Sequence, residues 1–555
     1  MHSCVHGRTV FLKIKSLSSS STSSLGFKTL AVQGTRTAST FRTCFGIGVF
    51  NRRSVPLSSL ATCPYSMHTA TAGTSGQRRG LKHTTKMESS GPAHQGPAGS
   101  RMSIRINAYE SDDRAGTDSG NAAVSITSPA LLLPVLVAGC GAFAFGFHLG
   151  VINGPLEALS RDLGVAGNAT LQGLVVSSVL AGAAVGSLGG SGLADAWGRR
   201  KTLLVDAAPL LVGALICAAA TGPASMIFGR FLVGIGIGIS SALVPLYISE
   251  IAPPHLRGAL GSTNQLLICI GILAALLVNV IIPSNAWRSM FALSALPAVG
   301  LAIGMVVCPE TPSYLVSAGR KTEADAVARR LWGPGTGQSD GQQSDTHLTP
   351  AGWREVLAAP TAKIGVILFL LQQFAGINAI VYFSSAVFAK AGVASGTLAS
   401  AVVGVVNVLG TIFAAGLIDK TGRKILLTWS FAGMGASMLA MAVGLSTAAS
   451  STIAVLGTVA YIASFAMGAG PVPGVLVPEV NPARVRGRAV ALAMGAHWLS
   501  NFAIGQLFLS AVAAFGVAWV YAAFAAVCFF AVWYVETGIA ETKARSVGEV
   551  DRAEA

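Results

Sequence analysis

The chain has 555 residues, of which 52% are hydrophobic and only 11% charged, with a mean hydropathy of +0.62. Those values exclude an ordinary soluble globule and point to a polytopic membrane protein. The formal charge of +15 does not mark a nucleic-acid binder. Twelve of the 38 Lys and Arg lie in residues 1–87, which hold no acid, leaving 26 bases against 23 acids in the remainder.

Residues 1–105 form a basic leader rich in hydroxyls; Ser16 to Ser24 is almost entirely Ser and Thr. This composition, without the uninterrupted apolar core of a secretory signal, reads as a disordered organelle transit peptide. Cys4, Cys44 and Cys63 fall in it, while Cys140, Cys217, Cys269, Cys308 and Cys528 lie in or beside apolar stretches. None forms a Cys-x-x-Cys, so neither a zinc site nor a disulfide framework is expected.

From Leu131 onward, twelve apolar stretches centre near Cys140, Leu180, Leu211, Gly236, Cys269, Val299, Leu371, Val406, Met434, Ala463, Gly495 and Phe524. A bilayer-spanning helix takes about 20 such residues. Residues 129–308 then make one bundle of six, 362–537 a second, and 538–555 a tail. The polar linker between them, 309–361, begins with a helical stretch, Lys321 to Trp332, and loosens over Gly333–Pro350. The expected fold is an all-α membrane protein of twelve transmembrane helices in two pseudo-symmetric six-helix bundles. Lys and Arg crowd the connections after spans two, four, six, eight and ten, so both ends and the linker share one face by the positive-inside rule.

The chain repeats itself. Asp195-Ala-Trp-Gly-Arg199-Arg200 returns as Asp419-Lys-Thr-Gly-Arg423-Lys424. Glu250, seven residues before Arg257, returns as Glu479 before Arg486, and Glu310-Thr311 returns as Glu541-Thr542. The offsets of 224, 229 and 231 keep register. The arginines alone would suit topology and snorkelling, but the acids kept beside them suggest a gate. Asp195, Arg199, Arg200, Glu250 and Arg257 in the first half, with Asp419, Arg423, Glu479 and Arg486 in the second, are expected to close the basic face by pairing across the halves. Exposed pairs contribute only ~0–1 kcal/mol each, so such a set can be broken in turnover.

Gln372-Gln373-Phe374-Ala375-Gly376-Ile377-Asn378 interrupts the seventh apolar stretch. A buried, unpaired amide costs roughly 1–3 kcal/mol, so three within seven residues need partners. In a straight helix Gln372 and Asn378 point about 120° apart. They can face one cavity only if the helix loosens at Gly376. A broken helix lined with amides would hold a polyhydroxylated solute in mid-membrane.

These features closely resemble the sugar porter family of the major facilitator superfamily, and the resemblance covers residues 130–548. It is carried by Asp195–Lys201, Gly229-Arg230-Phe231, Pro245–Gly258, Gln265-Leu266, Gln372–Asn378, Asp419–Lys424, Gly468–Pro473 and His497-Trp498-Leu-Ser-Asn501. With the leader and Phe145-Gly-Phe-His-Leu-Gly-Val, it looks most like the plastid glucose transporter subgroup. The resemblance implies that Gln265, Gln372, Gln373, Asn378, Asn407 and Asn501 bond sugar hydroxyls and that Trp498 packs on the ring. It makes Arg230 the buried arginine of the fourth helix, counted with the gating charges and in need of a partner. His148 stands where proton-coupled members carry aspartate and is the possible proton-linked residue.

Three departures stand out. Pro309-Glu310-Thr311-Pro312-Ser313 lacks the family's closing arginine, and Ala466 and Gly474 replace a glutamate and a second tryptophan of many animal facilitators, so a looser pocket is expected at both. The expected activity is alternating-access transport of a hexose, glucose first, by facilitated diffusion across the plastid inner envelope, as a monomer in the bilayer. No cofactor, metal, nucleic acid or covalent chemistry is expected. A proton-coupled symporter at the plasma membrane is the alternative, and a membrane sugar sensor the lesser one. Gly234-Ile-Gly236-Ile-Gly238 follows an apolar helix, not a strand, and so marks helix packing and not a nucleotide site. Asn168-Ala-Thr170 is a glycosylation sequon that an organelle-imported protein would leave unused.

Overall fold

A computed structural model describes residues 128–253, 256–333, 352–446 and 451–541. The leader, the loose part of the linker, Thr542 and the rest of the tail lie outside them. Among the described residues there is no strand, and twelve helices are long and apolar enough to cross a membrane. They are Pro129–Gly150, Ala169–Trp197, Arg199–Ala218, Pro223–Ile251, Leu260–Ile281, Ser284–Val307, Pro360–Lys390, Gly396–Ile418, Arg423–Leu445, Ser451–Val480, Arg484–Phe515 and Val517–Gly538. Each apolar centre expected from the sequence falls within its span.

Small residues set how closely the helices approach. In the first half, a Cβ on Gly182, Gly186, Gly234 or Gly238 would run into the backbone of the facing second or fourth span. Those two helices therefore pack backbone against backbone, as stripes of small residues allow in lipid. Asn168, the sequon residue, caps the second span by accepting the Leu171 N–H at 3.0 Å.

The bonds seen between the halves run from mid-membrane to the weakly charged face. Asn153, just past the first span, donates to Val381 O at 2.6 Å and to Ser384 Oγ at 2.9 Å, both on the seventh span. Ser177 Oγ donates to Gln506 Oε1 at 2.9 Å, joining the second span to the eleventh. Toward the basic ends, Gly189, Gly261, Gly416 and Gly487 have open space where a Cβ would point. The halves are thus sealed on the weakly charged side in this state.

Candidate functional site

The site is built on two broken helices. The helix of the seventh span ends at Phe374 and restarts at Ile377. Between them Gly376 takes φ 95°, a left-handed conformation open mainly to glycine. A Cβ there would also stand 2.5 Å from the Phe524 ring. The tenth span breaks likewise, between the helices Ser451–Met467 and Val472–Val480. Hydrocarbon cannot satisfy the carbonyls a break exposes. The two breaks satisfy each other. Tyr461 Oη donates to Ala375 O at 2.9 Å, and Gln372 Nε2 donates to Ala469 O at 2.5 Å and Gly470 O at 3.4 Å.

From Gln372 the amides continue as a chain. Gln373 Nε2 donates to Gln372 Oε1 at 3.0 Å, and Asn378 Nδ2 donates to Gln373 Oε1 across the break. The loosening at Gly376 therefore does what the sequence requires of it, bringing Gln372, Gln373 and Asn378 into one buried, bonded set. His497 joins them, its Nδ1 lying 3.0 Å from Gln373 Nε2. Sequence reasoning passed over His497, although it sits beside Trp498 in a stretch already singled out. Its ring meets Phe369 and Trp498 edge-on, with centroids at 5.3 and 4.9 Å. Phe145 of the first half closes on Trp498 at 5.4 Å.

A second arm crosses the halves. Gln265, half-buried on the fifth span, donates to Cys269 Sγ at 3.7 Å. Cys269 Sγ lies 3.3 Å from Thr411 Oγ1 on the eighth span, and that hydroxyl bonds the Asn407 carbonyl at 2.9 Å. Asn501 is engaged differently, its Oδ1 accepting from Tyr382 Oη at 3.1 Å. Two buried atoms in this region have no partner: Trp498 Nε1, a donor, and Asn407 Oδ1, an acceptor. Natural proteins rarely leave such atoms bare. Two apolar hollows on the outside of the bundles, about 460 and 440 Å³, touch none of these residues.

The substituted positions differ from each other. Ala466 is buried, and a Cβ on Gly410 would stand 2.6 Å from its methyl group. The eighth span thus closes on it, and no looser pocket exists there. Gly474 faces open space, so the expected slack is found at that position alone.

In the first half, His148 and Arg230 are both fully buried. Arg230 donates one bond, from Nη2 to Val176 O at 3.1 Å, while its Nε and Nη1 and His148 Nε2 have no partner. The partner expected for Arg230 is therefore a lone carbonyl and not a carboxylate. One carboxyl that sequence reasoning missed lies well inside a span: Asp206 is fully buried, accepts from Ser240 Oγ at 2.5 Å, and leaves Oδ1 bare. Its signal was an acid within an otherwise apolar stretch.

At the basic ends, each half builds its own cluster. Arg199 pairs with Glu250 at 3.1 Å and with exposed Asp195 at 3.4 Å. Arg200 reaches the carbonyls of Met305 and Val306 at 2.9 and 2.5 Å. In the second half Arg423 pairs with Glu479 at 2.9 Å, and Arg486 Nε bonds Asn481 O at 3.2 Å. Arg257 is exposed at the head of the fifth span; the Asp419 side chain lies outside the described residues. The pairs seen here join elements within one half, in a state open on the basic side. The turn before each arginine folds it back beside its own half's carboxylate. Glu310 accepts the backbone N–H of Arg199 at 3.0 Å and of Arg200 at 3.1 Å, and Glu541 accepts those of Arg423 at 2.9 Å and Lys424 at 3.1 Å. A carboxylate at a helix N-terminus is favoured both by the unpaired N–H groups and by the helix dipole.

Comparison with known proteins adds to this geometry. A family model described as "Sugar (and other) transporter" matches residues 134–553. Plastidic glucose transporter 4 of Arabidopsis thaliana is 49% identical over 447 residues, which is 77% of this chain and 81% of the relative. Probable plastidic glucose transporter 1 of the same plant is 41% identical, covering 75% and 82%. The inward open structure of the xylose transporter XylE from E. coli superposes with a TM-score of 0.68 at 28% identity, covering 76% of this chain and 99% of that one.

Proposed function

The chain belongs to the sugar transporter family of the major facilitator superfamily, whose members are membrane porters and not enzymes; on that premise we propose that it carries a hexose, glucose first, by alternating access. The observation that carries this reading is two bare buried atoms: Trp498 Nε1, on the ring that meets His497 of the amide chain, and Asn407 Oδ1, on the arm that crosses the halves. One can donate and the other accept, which suits a solute whose hydroxyls do both. The indole face suits the C–H side of a sugar ring. Gln265, Gln372, Gln373, Asn378 and Asn501 complete the binding set. A solute held at ~1 mM gains only about 4 kcal/mol, which a few such bonds supply while still letting it leave.

Facilitated diffusion fits best, because the first-span position holds His148 and Arg230 bonds a carbonyl. Proton-coupled symport has one observation in its favour, the buried carboxyl of Asp206, since an intramembrane acid is a natural proton carrier. Radiolabelled glucose flux in proteoliposomes, with and without a pH gradient, separates the two. Uptake indifferent to the gradient supports facilitated diffusion. Uphill uptake that Asp206→Asn abolishes would replace it with symport, and no glucose flux at all would sink the hexose reading.

The basic clusters are proposed to gate that face, with Arg257 and Arg486 meeting the opposite half when it closes. Plastid inner-envelope residence is proposed from the leader and from the names of the two Arabidopsis relatives. A fluorescent fusion found at the plasma membrane, or a glycosidase-sensitive shift at Asn168, would overturn it.

A further inference from the structure

The direction of every hydrogen bond in the amide chain is set from the backbone. Ala469 O and Gly470 O only accept, so the Gln372 group facing them is Nε2, and Gln372 Oε1 faces Gln373. That oxygen needs a donor, so Gln373 presents Nε2 to it and Oε1 to Asn378. The remaining hydrogen of Gln373 Nε2 points at His497 Nδ1, 3.0 Å away. Nδ1 must therefore accept, which leaves the ring neutral with its hydrogen on Nε2.

We propose that His497 is a positioning residue of the hexose site, held as the neutral Nε2–H tautomer by the tenth-span carbonyls through Gln372 and Gln373, and that a proton on Nδ1 disengages the site. This rests on the hexose-carrier reading above. With Nδ1 protonated, two donors would face each other. Gln373 would have to turn, taking Oε1 from Asn378 and loosening the chain across the seventh-span break. The groups packed on the ring are Phe369 and Gln373 of the seventh span and the adjacent Trp498. Phe145 of the first span reaches Trp498 but carries no charge. No charged side chain among the described residues acts on the ring. Of the buried groups of the first half, Asp206 accepts from Ser240, and the charge of Arg230 bears on His148 and not on this ring. An imidazole nitrogen takes a proton on acidification, and the half-buried ring is within reach of the medium, so acid is the trigger.

The test uses the full chain in proteoliposomes, with glucose exchange measured at equal pH on both sides so that no proton gradient contributes. Acidification is expected to raise the half-saturating glucose concentration of the wild type roughly tenfold or more, the factor carried by one unsatisfied buried donor. In His497→Gln that concentration should no longer depend on pH, because an amide oxygen accepts from Gln373 without titrating. His497→Phe, which offers no acceptor, should bind more weakly than His497→Gln at every pH. A second readout needs no sugar: Trp498 emission should fall with acid in the wild type and not in His497→Gln, with Trp498→Phe identifying the signal. Equal pH profiles for wild type and His497→Gln in this titration overturn the proposal whatever the solute. A titration that depends on His497 in a protein that exchanges no glucose would instead uphold the tautomer and sink the hexose reading.

Discussion

Asn153 Oδ1 accepts the backbone N–H of Ser385 at 3.2 Å, so a loop residue of one half holds a membrane helix of the other. With its two donated bonds, this one buried amide fastens the weakly charged face. Asn153→Ala removes three bonds worth ~1 kcal/mol each. The population open on that face should rise roughly tenfold or more. Spin labels at the exposed residues Arg161 and Lys390 would report it as a growing long-distance component. An unchanged distance distribution would show that the seal lies elsewhere.

Tyr461→Phe leaves the Ala375 carbonyl without its hydroxyl donor in a site closed to water. The expected loss is about 1–3 kcal/mol of stability, seen as a lower melting temperature in detergent. A melting temperature equal to the wild type would mean that the break finds another donor.

Trp498→Phe keeps an aromatic face but removes the bare N–H. Half-saturating glucose should rise by about fivefold to tenfold, corresponding to ~1–1.4 kcal/mol, with little change in melting temperature. Asn407→Ala should act in the same direction. A variant that lost stability and kept its affinity would make either residue structural.

Much of this was legible in the sequence, for reasons that hydrocarbon imposes. A span must be long and apolar, so the twelve centres could be read from hydropathy. A glycine among three amides in such a span could be read as a break, because the amides had no other way to face one place. Side-chain partners were a different matter. Glu310 and Glu541 were visible as repeats, but not as caps of the third and ninth spans, since spacing does not say which helix end lies opposite. His497, Tyr461 and Tyr382 gain their roles only from residues over eighty positions away. The pairing of each arginine inside its own half was not legible either, because a repeat shows what is duplicated and not what it touches.

Gly422→Ala should be among the most damaging single methyl additions. Gly422 has φ 99°, and a Cβ would stand 2.6 Å from Glu541 Oε2, so backbone strain and loss of the helix cap combine. A loss of several kcal/mol is expected from strain of ~1–3 kcal/mol plus the lost cap, read as poor yield of monodisperse protein. Gly198→Ala should behave alike, with Glu310 as the obstacle. Normal yield from either would mean that the turn can be rebuilt.

The twin carboxylate caps have a consequence for how the molecule loses order. Glu310 caps a helix of the first half and Glu541 one of the second, so undoing one cap leaves the other in place. Heat should then melt the protein in two calorimetric steps, one per bundle, and Glu541→Ala should bring forward a single step while its twin stays where it was.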